Sequence, residues 1–343
     1  MYLFKGIEYL WMLVFIMVVA GIAKEQNLFA SAYAYMQHSF KSNRVIIALI
    51  SAVSGILPIE GRVTVSAGVL DTLCSKDPHS RHKMGIIDYL ATHHYYLWSP
   101  MEKTVILPIA AFGLTYTAWL GMIWPLLLVT VAYVASYMYF TVKETDITVD
   151  ASAPFKISQV LRNVIPFFAA IGVYIYNGGE GNVFTIFGLL ALYYCLITST
   201  WDVKKLVGYL NWQVIATVGV AIIVGNYFKS MEPVFKEWVT GGSFDMNTVT
   251  GFVVVSAIGF ISSFLMGSSG KYIAFAVLLS QLYGVDKFVW FFAVDYVGYL
   301  LSPTHKCVAV GNRYFGTPLK NYYTALGGWG VVLLAAAAVA TFT

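Results

Sequence analysis

Residues Ser51 to Leu70 read SAVSGILPIEGRVTVSAGVL, a stretch that is too apolar to form a surface loop. Small residues, a proline and two charges interrupt it: Gly55, Pro58, Glu60, Gly61 and Arg62. Irregular backbone and charge persist at membrane depth only where protein or a water-filled cavity surrounds them. The stretch therefore predicts a membrane helix that is broken near its middle.

A second stretch of the same build lies in the other half of the chain. Residues Ser262 to Leu279 read SSFLMGSSGKYIAFAVLL, where Gly267 to Gly270 form the break and Lys271 follows it. Paired interrupted segments in the two halves of a membrane protein are the best sequence indication of a transporter's binding site. We therefore expect the functional site at these two breaks.

The composition indicates a membrane protein. Of the 343 residues, 59% are hydrophobic and 11% are charged, whereas a soluble domain carries about 25% charged residues. We expect an all-α polytopic protein whose surroundings are a lipid bilayer. Residues Met1 to Ala23 hold no clear cleavage signal, so they are interpreted as the start of the first helix. No basic extramembrane domain is present, which argues against nucleic-acid binding.

The chain divides into two membrane halves, residues 1–141 and 160–343, joined by a polar linker at 142–159. Apolar runs predict membrane segments at Ile7–Ala23, Val45–Leu73 (broken), Ile86–Trp98, Thr104–Leu120, Trp124–Phe140, Val160–Tyr176, Val183–Thr198, Val207–Phe228, Thr248–Met266, Lys271–Tyr283, Val285–Leu301 and Tyr322–Phe342. Lys24–Arg44 is predicted to lie at the interface, and Ser75–Met84 to form a charged loop.

The two halves contain matching motifs in the same order. YLWSPMEK at Tyr96–Lys103 matches YLLSPTHK at Tyr299–Lys306. Ser54 and Gly61-Arg62 match Ser263 and Gly270-Lys271. Asp88-Tyr89 matches Asp295-Tyr296, and Phe112-Gly113 matches Phe315-Gly316. The order of these matches predicts two repeats. We expect an inverted relation between them because transporters commonly use one.

The breaks suggest how a substrate is held. A broken helix exposes backbone N–H groups that favour an anion, and carbonyl groups that suit Na⁺ when hydroxyls are nearby. The candidate substrate-binding residues are Ser54, Gly55, Gly61, Arg62, Ser263, Ser268, Ser269, Gly270 and Lys271. Purely structural interpretations stay open. In these, Arg62 pairs with Glu60, Lys271 extends to the membrane interface, and the serines cap helix ends or allow close helix packing.

Ionisable residues inside apolar segments are candidates for coupling transport to a proton or a cation. They are Glu60, Asp88, Asp295 and His305. The alternative for the aspartates is an ion pair with Lys103 or Lys306, and for His305 an ordinary hydrogen-bonding role.

The sequence predicts no metal site and no cofactor other than Na⁺ as a candidate coupling ion. Cys74, Cys195 and Cys307 are far apart and form no disulfide or metal-binding pattern. The cluster of His79, His82, His93 and His94 has no acidic residue to complete a zinc site. We therefore do not expect an enzyme.

Several motifs resemble those of a known family. GYLLSPTHKC at Gly298–Cys307, NRYF at Asn312–Phe315 and SGILPIEG at Ser54–Gly61 are similar to motifs of an uncharacterised family of prokaryotic integral membrane proteins, domain of unknown function 401. The resemblance implies membership of the ion-transporter superfamily, with inverted repeats, hairpins meeting at mid-membrane, a homodimer and an elevator-like movement. The chain departs from such carriers in being short, and in the charges of Glu60, Arg62 and Lys271.

These observations favour a secondary active transporter of a small anion, a carboxylate, coupled to Na⁺ or H⁺. Three other hypotheses stay open: an ion channel of the same fold, a membrane enzyme that uses the histidines, and a membrane protein without transport activity. Uphill accumulation of substrate distinguishes a transporter from a channel.

Overall fold

The computed structural model describes residues 2–56, 62–100, 102–146, 155–177, 183–212, 215–216, 219–220, 223, 245–267 and 269–343. At 2–9, 62–65, 269–272, 306 and 310 only the backbone is described. The regular elements in these ranges are helices, with no β-strand among the described residues, which confirms the predicted all-α class.

The first half contains eight helices in its described residues: α1 (Tyr2–Glu25), α2 (Ala30–Ser39), α3 (Asn43–Ile56), α4 (Arg62–Leu73), α5 (Pro78–Thr92), α6 (Tyr95–Trp98), α7 (Lys103–Phe112) and α8 (Tyr116–Thr141). The remainder of the described chain adds α9 (Ile157–Tyr176), α10 (Val183–Thr198), α11 (Val203–Gly208), α12 (Val249–Met266), α13 (Ser269–Tyr283), α14 (Phe288–Leu301), α15 (Lys306–Phe315) and α16 (Leu319–Phe342). Short 3₁₀ turns lie at Glu144–Asp146 and Val285–Lys287.

Four of the described helices, α8, α9, α12 and α16, are long and apolar enough to cross a membrane. Helices α1 and α2 form a fifth candidate span if the pair, bent by 69°, is counted as one. Large apolar side chains such as Trp124, Leu128 and Val331 point outward from these helices and are more than half exposed. Such outer faces suit contact with lipid, as expected of an integral membrane protein.

Both predicted breaks coincide with helix ends. Helix α3 ends at Ile56 and α4 begins at Arg62, while residues 57–61 lie outside the described chain. Helix α12 ends at Met266, where Gly267 adopts a left-handed conformation with φ of +55°, and α13 begins at Ser269. Glycine terminates helices in this way because it has no Cβ to clash with the backbone.

The predicted charged loop at Ser75–Met84 is wrong beyond its first residues, because α5 begins at Pro78. The Asp77 carboxylate accepts a hydrogen bond from the backbone N–H of Ser80 at 2.9 Å and caps the helix. An Asp-Pro pair is a strong helix start: the aspartate satisfies an exposed N–H group, and proline suits the first turn.

The predicted boundary between Thr104–Leu120 and Trp124–Phe140 is also wrong. Helix α7 ends at Phe112 because Gly113 is left-handed, with φ of +67°. Thr115 then caps α8, which continues through Trp124 and Pro125 without a break. The glycine and the capping threonine, and not the hydrophobic pattern, decide where these helices divide.

Sequence analysis missed α15. Helix α15, KCVAVGNRYF, is too polar to be recognised as a membrane segment and ends at the left-handed Gly316. In the predicted segment Val207–Phe228, α11 ends at Gly208 and Tyr209 forms a turn, and most of the later residues lie outside the described chain.

Each half contains a group of three mutually packed helices, and one short helix from each half crosses to the other. Helices α3, α4 and α5 pack together, as do α12, α13 and α14. Helix α15 lies against α4 and α5, whereas α7 lies against α13. Both crossing helices have ten residues, begin with lysine and end with phenylalanine before a left-handed glycine.

The start of the linker is held to the first half by Asp146. Its carboxylate accepts hydrogen bonds from the Ser80 hydroxyl at 2.6 Å, the Lys83 ammonium at 3.1 Å and the Lys143 N–H at 2.8 Å. Burial opposes ionisation of this carboxyl, but the hydrogen bonds outweigh it and hold the pKa of Asp146 below its ordinary value.

Candidate functional site

Asp88 lies fully buried at the centre of the first three-helix group. It is on α5, and its Oδ1 accepts a hydrogen bond from the Ser51 hydroxyl of α3 at 2.9 Å. The hydroxyl of Ser66, on α4, also hydrogen-bonds to this carboxyl. Its Oδ2 is buried without a hydrogen-bond partner among the described residues. Asp88 is thus surrounded by hydroxyls from both sides of the first break.

Asp295 has the corresponding place in the second three-helix group. It is on α14 and fully buried beside Ser263 of α12. Within the described chain, neither carboxylate oxygen of Asp295 makes a hydrogen bond of good geometry, and the hydroxyl of Ser263 makes none either. Gly259 leaves room for the carboxyl, because a Cβ there would lie 2.8 Å from Oδ1.

A buried carboxylate with an unsatisfied oxygen is costly as an anion. The cost falls when the carboxyl takes up a proton, or when a cation binds its oxygens together with the neighbouring hydroxyls. The described hydrogen-bonding contacts of Asp88 are the hydroxyls of Ser51 and Ser66.

Two of the predicted substrate-binding residues make structural contacts. The Ser54 hydroxyl is 2.8 Å from the hydroxyl of Tyr33 on α2 and is completely buried. Gly55 packs against α5, where a Cβ would lie 2.6 Å from the backbone oxygen of Thr92. Ser54 and Gly55 therefore join α3 to its neighbours.

The basic residues of both breaks lie at helix N-termini. Arg62 is the first residue of α4, and Lys271 is the third residue of α13, which begins with Ser269 and Gly270. The side chains of these residues are not described. Three other predicted site residues, Glu60, Gly61 and Ser268, lie outside the described chain. By position, Arg62 and Lys271 each place a basic residue at the N-terminus of a helix, α4 or α13, which is the positive end of the helix dipole.

His305 lies at the contact between the halves, where it meets a histidine of the first half. It precedes α15 and is buried, and its Nε2 is 3.2 Å from the Nε2 of His93, which ends α5. The opposite nitrogen of each ring contacts a backbone carbonyl: His93 Nδ1 lies 2.6 Å from the oxygen of Tyr89, and His305 Nδ1 lies 3.1 Å from that of Tyr299.

Cys307 completes a group of metal-ligating atoms with these two histidines. Its Sγ and one ring nitrogen each of His93 and His305 all lie within 4.8 Å of one another. Both histidines are buried, and Cys307 is partly exposed. The sequence did not suggest this group, because 212 residues separate the two histidines.

The matching tyrosines of the two YL-x-SP motifs contact each other directly. The hydroxyls of Tyr96 and Tyr299 are 2.8 Å apart, and both side chains are buried. The residues with the same place in each motif therefore meet at the contact between the halves.

The comparisons with known proteins place the chain in a family. Residues 7–342 match the model of the family described as Protein of unknown function (DUF401). The chain belongs to this family. The resemblance inferred from the GYLLSPTHKC and SGILPIEG motifs is therefore confirmed at the level of the family. No curated protein matches the chain.

Sequence analysis identified the buried acids of this family member but not all of their neighbours. Ser51 and Ser66 lie in the first interrupted stretch but were not among the candidate site residues, and the structure brings both to Asp88. For Ser51 a usable signal was its helical spacing from Ser54 and Gly55. Ser51 faces Asp88 because it lies one turn before Ser54 and Gly55, which are also buried on α3.

Proposed function

We propose that this protein is a secondary active transporter that couples the movement of a small anion, a carboxylate, to Na⁺ or H⁺. In this proposal it works in a prokaryotic or phage-encoded inner membrane. The observation that carries the proposal is the pair of buried aspartates, Asp88 and Asp295. Each lies beside a serine of a broken helix, and each has a carboxylate oxygen with no hydrogen-bond partner of good geometry among the described residues.

The aspartates account for coupling. With a proton or Na⁺ bound, the carboxyl of Asp88 or Asp295 is neutralised, and the surrounding helices can move through an apolar environment at lower cost. Without the cation, the uncompensated charge opposes the same movement. Because Ser51 and Ser66 come from opposite sides of the first break, cation binding at Asp88 also holds α3 and α4 together.

The N-termini of α4 and α13 account for anion binding. Arg62 and Lys271 stand in the first turns of α4 and α13, where exposed backbone N–H groups and the helix dipole already favour negative charge. The predicted ligands Ser269 and Gly270 precede Lys271 at the start of α13 and contribute backbone N–H groups to the same end.

The two halves are, in our proposal, inverted repeats of the kind found in the ion-transporter superfamily. The equal lengths of α7 and α15, their left-handed terminal glycines and their reciprocal packing support a repeat. The contact between Tyr96 and Tyr299 supports a two-fold relation, because equivalent residues meet on such an axis. A homodimer is expected from the same resemblance.

Ligand-induced thermal stabilisation of the purified protein tests this function. Citrate, succinate, lactate, gluconate and inorganic anions are added in Na⁺ or K⁺ at two pH values. A ligand at 100 times its Kd stabilises the folded state by about 2.7 kcal/mol. We expect one carboxylate to raise the melting temperature more in Na⁺ than in K⁺, or more at the lower pH.

Variants assign the cation dependence to the aspartates. Asp88→Asn and Asp295→Asn keep the shape of the side chain but remove its charge, so the effect of Na⁺ or pH on anion binding should disappear. Asp286→Asn is the matched control, because Asp286 is 73% exposed and pairs only with the adjacent Lys287 among its described contacts. Stabilisation by no anion, or by an anion equally under all conditions, would contradict the proposal.

A further inference from the structure

We propose that His93, His305 and Cys307 form a binding site for a thiophilic d¹⁰ metal ion, Zn²⁺ or Cu⁺, that links the two halves of the protein. This inference is independent of the proposed transport function. It rests on the positions of the ring protons, the distance between the imidazoles and the kinds of ligand atom present.

The hydrogen bonds of the two rings determine their tautomers. A carbonyl oxygen only accepts hydrogen bonds, so the contact of His93 Nδ1 with the oxygen of Tyr89 places a proton on Nδ1. The contact of His305 Nδ1 with the oxygen of Tyr299 does the same for the second ring. The Tyr89 hydroxyl donates to the oxygen of Leu300 at 3.1 Å and can accept from His305 Nδ1 at 2.9 Å, which is consistent with this assignment.

Each neutral imidazole then carries a lone pair on Nε2, and the two Nε2 atoms face each other at 3.2 Å. Two lone pairs at this distance repel unless a proton or a cation lies between them. The Nδ1–H bonds to backbone carbonyls are also the usual outer-shell arrangement of metal-binding histidines, where they fix the ring and increase the basicity of the ligand nitrogen.

The geometry fits a metal ion. In a tetrahedral zinc site with N–Zn bonds of about 2.0–2.1 Å, two nitrogen ligands are about 3.3 Å apart. The observed separation of 3.2 Å is close to that value. The thiol of Cys307, within 4.8 Å of one ring nitrogen of each histidine, supplies a third ligand after a small side-chain movement.

The ligand atoms select the class of metal. Imidazole suits zinc and copper, and thiolate selects Zn²⁺ and Cu⁺ over the harder ions Mg²⁺ and Ca²⁺. Three protein ligands leave one position of a tetrahedral ion open, or complete a trigonal Cu⁺ site. The rings are held in place by stacking, with centroids 4.0 Å apart for Tyr89 and His93, and 4.2 Å apart for Tyr299 and His305.

The site joins parts of the chain that also meet through packing and hydrogen bonds. His93 directly follows α5 in the first half, whereas His305 directly precedes α15 in the second half and Cys307 lies in its first turn. A bound metal ion would therefore fasten α15 to α5 and restrict relative movement of the two halves.

Cobalt binding to the full-length protein in detergent tests the site. Co²⁺ replaces Zn²⁺ in such sites and gives a thiolate-to-metal absorption band in the near ultraviolet. We expect one equivalent of Co²⁺ to produce this band, and Zn²⁺ or Cu⁺ to abolish it by competition. Cys307→Ser should lose the band, while Cys74→Ser and Cys195→Ser, which alter cysteines outside the group, should keep it.

Histidine variants and the unaltered protein provide further measurements. His93→Gln and His305→Gln should weaken Co²⁺ binding by at least about tenfold. In the unaltered protein, Zn²⁺ should protect Cys307 from alkylation, as read by mass spectrometry of its peptide, and this assay does not depend on any variant folding. No cobalt band, a band that survives in Cys307→Ser, or no protection would overturn the proposal and leave a proton shared by the two imidazoles as the cation between them.

Discussion

At the residue scale, Lys271 is the side chain on which anion binding depends most in the proposed transporter. It lies in the first turn of α13, directly after the second break. Removing its charge with Lys271→Ala should weaken carboxylate binding by about tenfold or more, the loss expected for a charge-assisted hydrogen bond. The measurement is the carboxylate concentration that gives half-maximal thermal stabilisation.

Lys205→Ala is the control for this variant. Lys205 forms a half-exposed ion pair with Glu25, and such surface pairs contribute little to stability. Carboxylate affinity should therefore be unchanged. Equal affinity in Lys271→Ala and Lys205→Ala would remove Lys271 from the binding site.

A second prediction for a single residue concerns Asp146 and the stability of the protein. Asp146→Asn leaves the buried Lys83 without its charged partner, which should destabilise the protein by about 3 kcal/mol near neutral pH. Because the pKa of Asp146 is lowered in the folded state, its stabilising contribution is present above the unfolded pKa of about 3.9. That contribution is lost as the pH falls through the lower folded pKa.

The pH dependence separates this effect from a general loss of packing. The difference in melting temperature between the unaltered protein and Asp146→Asn should shrink as the pH is lowered below about 4. Asp286→Asn should show little difference at any pH, since Asp286 is exposed. A difference for Asp146→Asn that stays constant with pH would contradict the assigned role of the carboxylate.

The residues of the site differ in how well sequence predicted them. Asp88 and Asp295 were identifiable because a charge inside an apolar segment is costly unless it has a use. The pairing of His93 with His305 and Cys307 was not, because it depends on how α15 packs against α5. A local sequence pattern shows where burying a residue type is energetically costly, whereas the partners of that residue depend on tertiary contacts.

At the element scale, left-handed glycines determine where the short crossing helices end. Gly316 has φ of +64°, and a Cβ added there would meet no atom within 4 Å, so Gly316→Ala tests the backbone conformation alone. We expect it to destabilise the protein by about 1 kcal/mol. Thermal unfolding in detergent measures the change.

Gly172→Ala is the matched control for Gly316→Ala. Gly172 lies within α9, where an added Cβ also meets no atom within 4 Å and the backbone is helical. Alanine should stabilise this position by up to about 1 kcal/mol. The two variants should thus shift the melting temperature in opposite directions, and a rise in both would be inconsistent with a strained position at 316.

Element boundaries were the part of the fold that sequence predicted least well. Hydrophobicity located both breaks, because glycine and charge interrupt a long apolar run there. It failed at Gly113, where α7 and α8 are both apolar and only the conformation of one residue divides them. It also failed at α15, whose residues are polar enough to resemble a loop but which packs between helices of the first half.

At the scale of the whole molecule, inverted repeats place equivalent helix ends on opposite membrane faces. Thr117 and Lys320 are the second residues of α8 and α16, both are exposed, and each follows its left-handed glycine at the same spacing. In a background where the native cysteines are alanine, Thr117→Cys and Lys320→Cys should react with a membrane-impermeant maleimide from opposite sides. Labelling from the same side would indicate parallel repeats.

Uptake into proteoliposomes shows whether the protein couples anion movement to a cation gradient. The purified protein is reconstituted, and the radiolabelled carboxylate that stabilises it is supplied outside with an inward Na⁺ gradient, an inward proton gradient or no gradient. The account predicts accumulation above the external concentration with one of the gradients, and loss of that accumulation in Asp88→Asn and Asp295→Asn. Flux that only equalises the two concentrations under every gradient would contradict a coupled transporter and identify a channel.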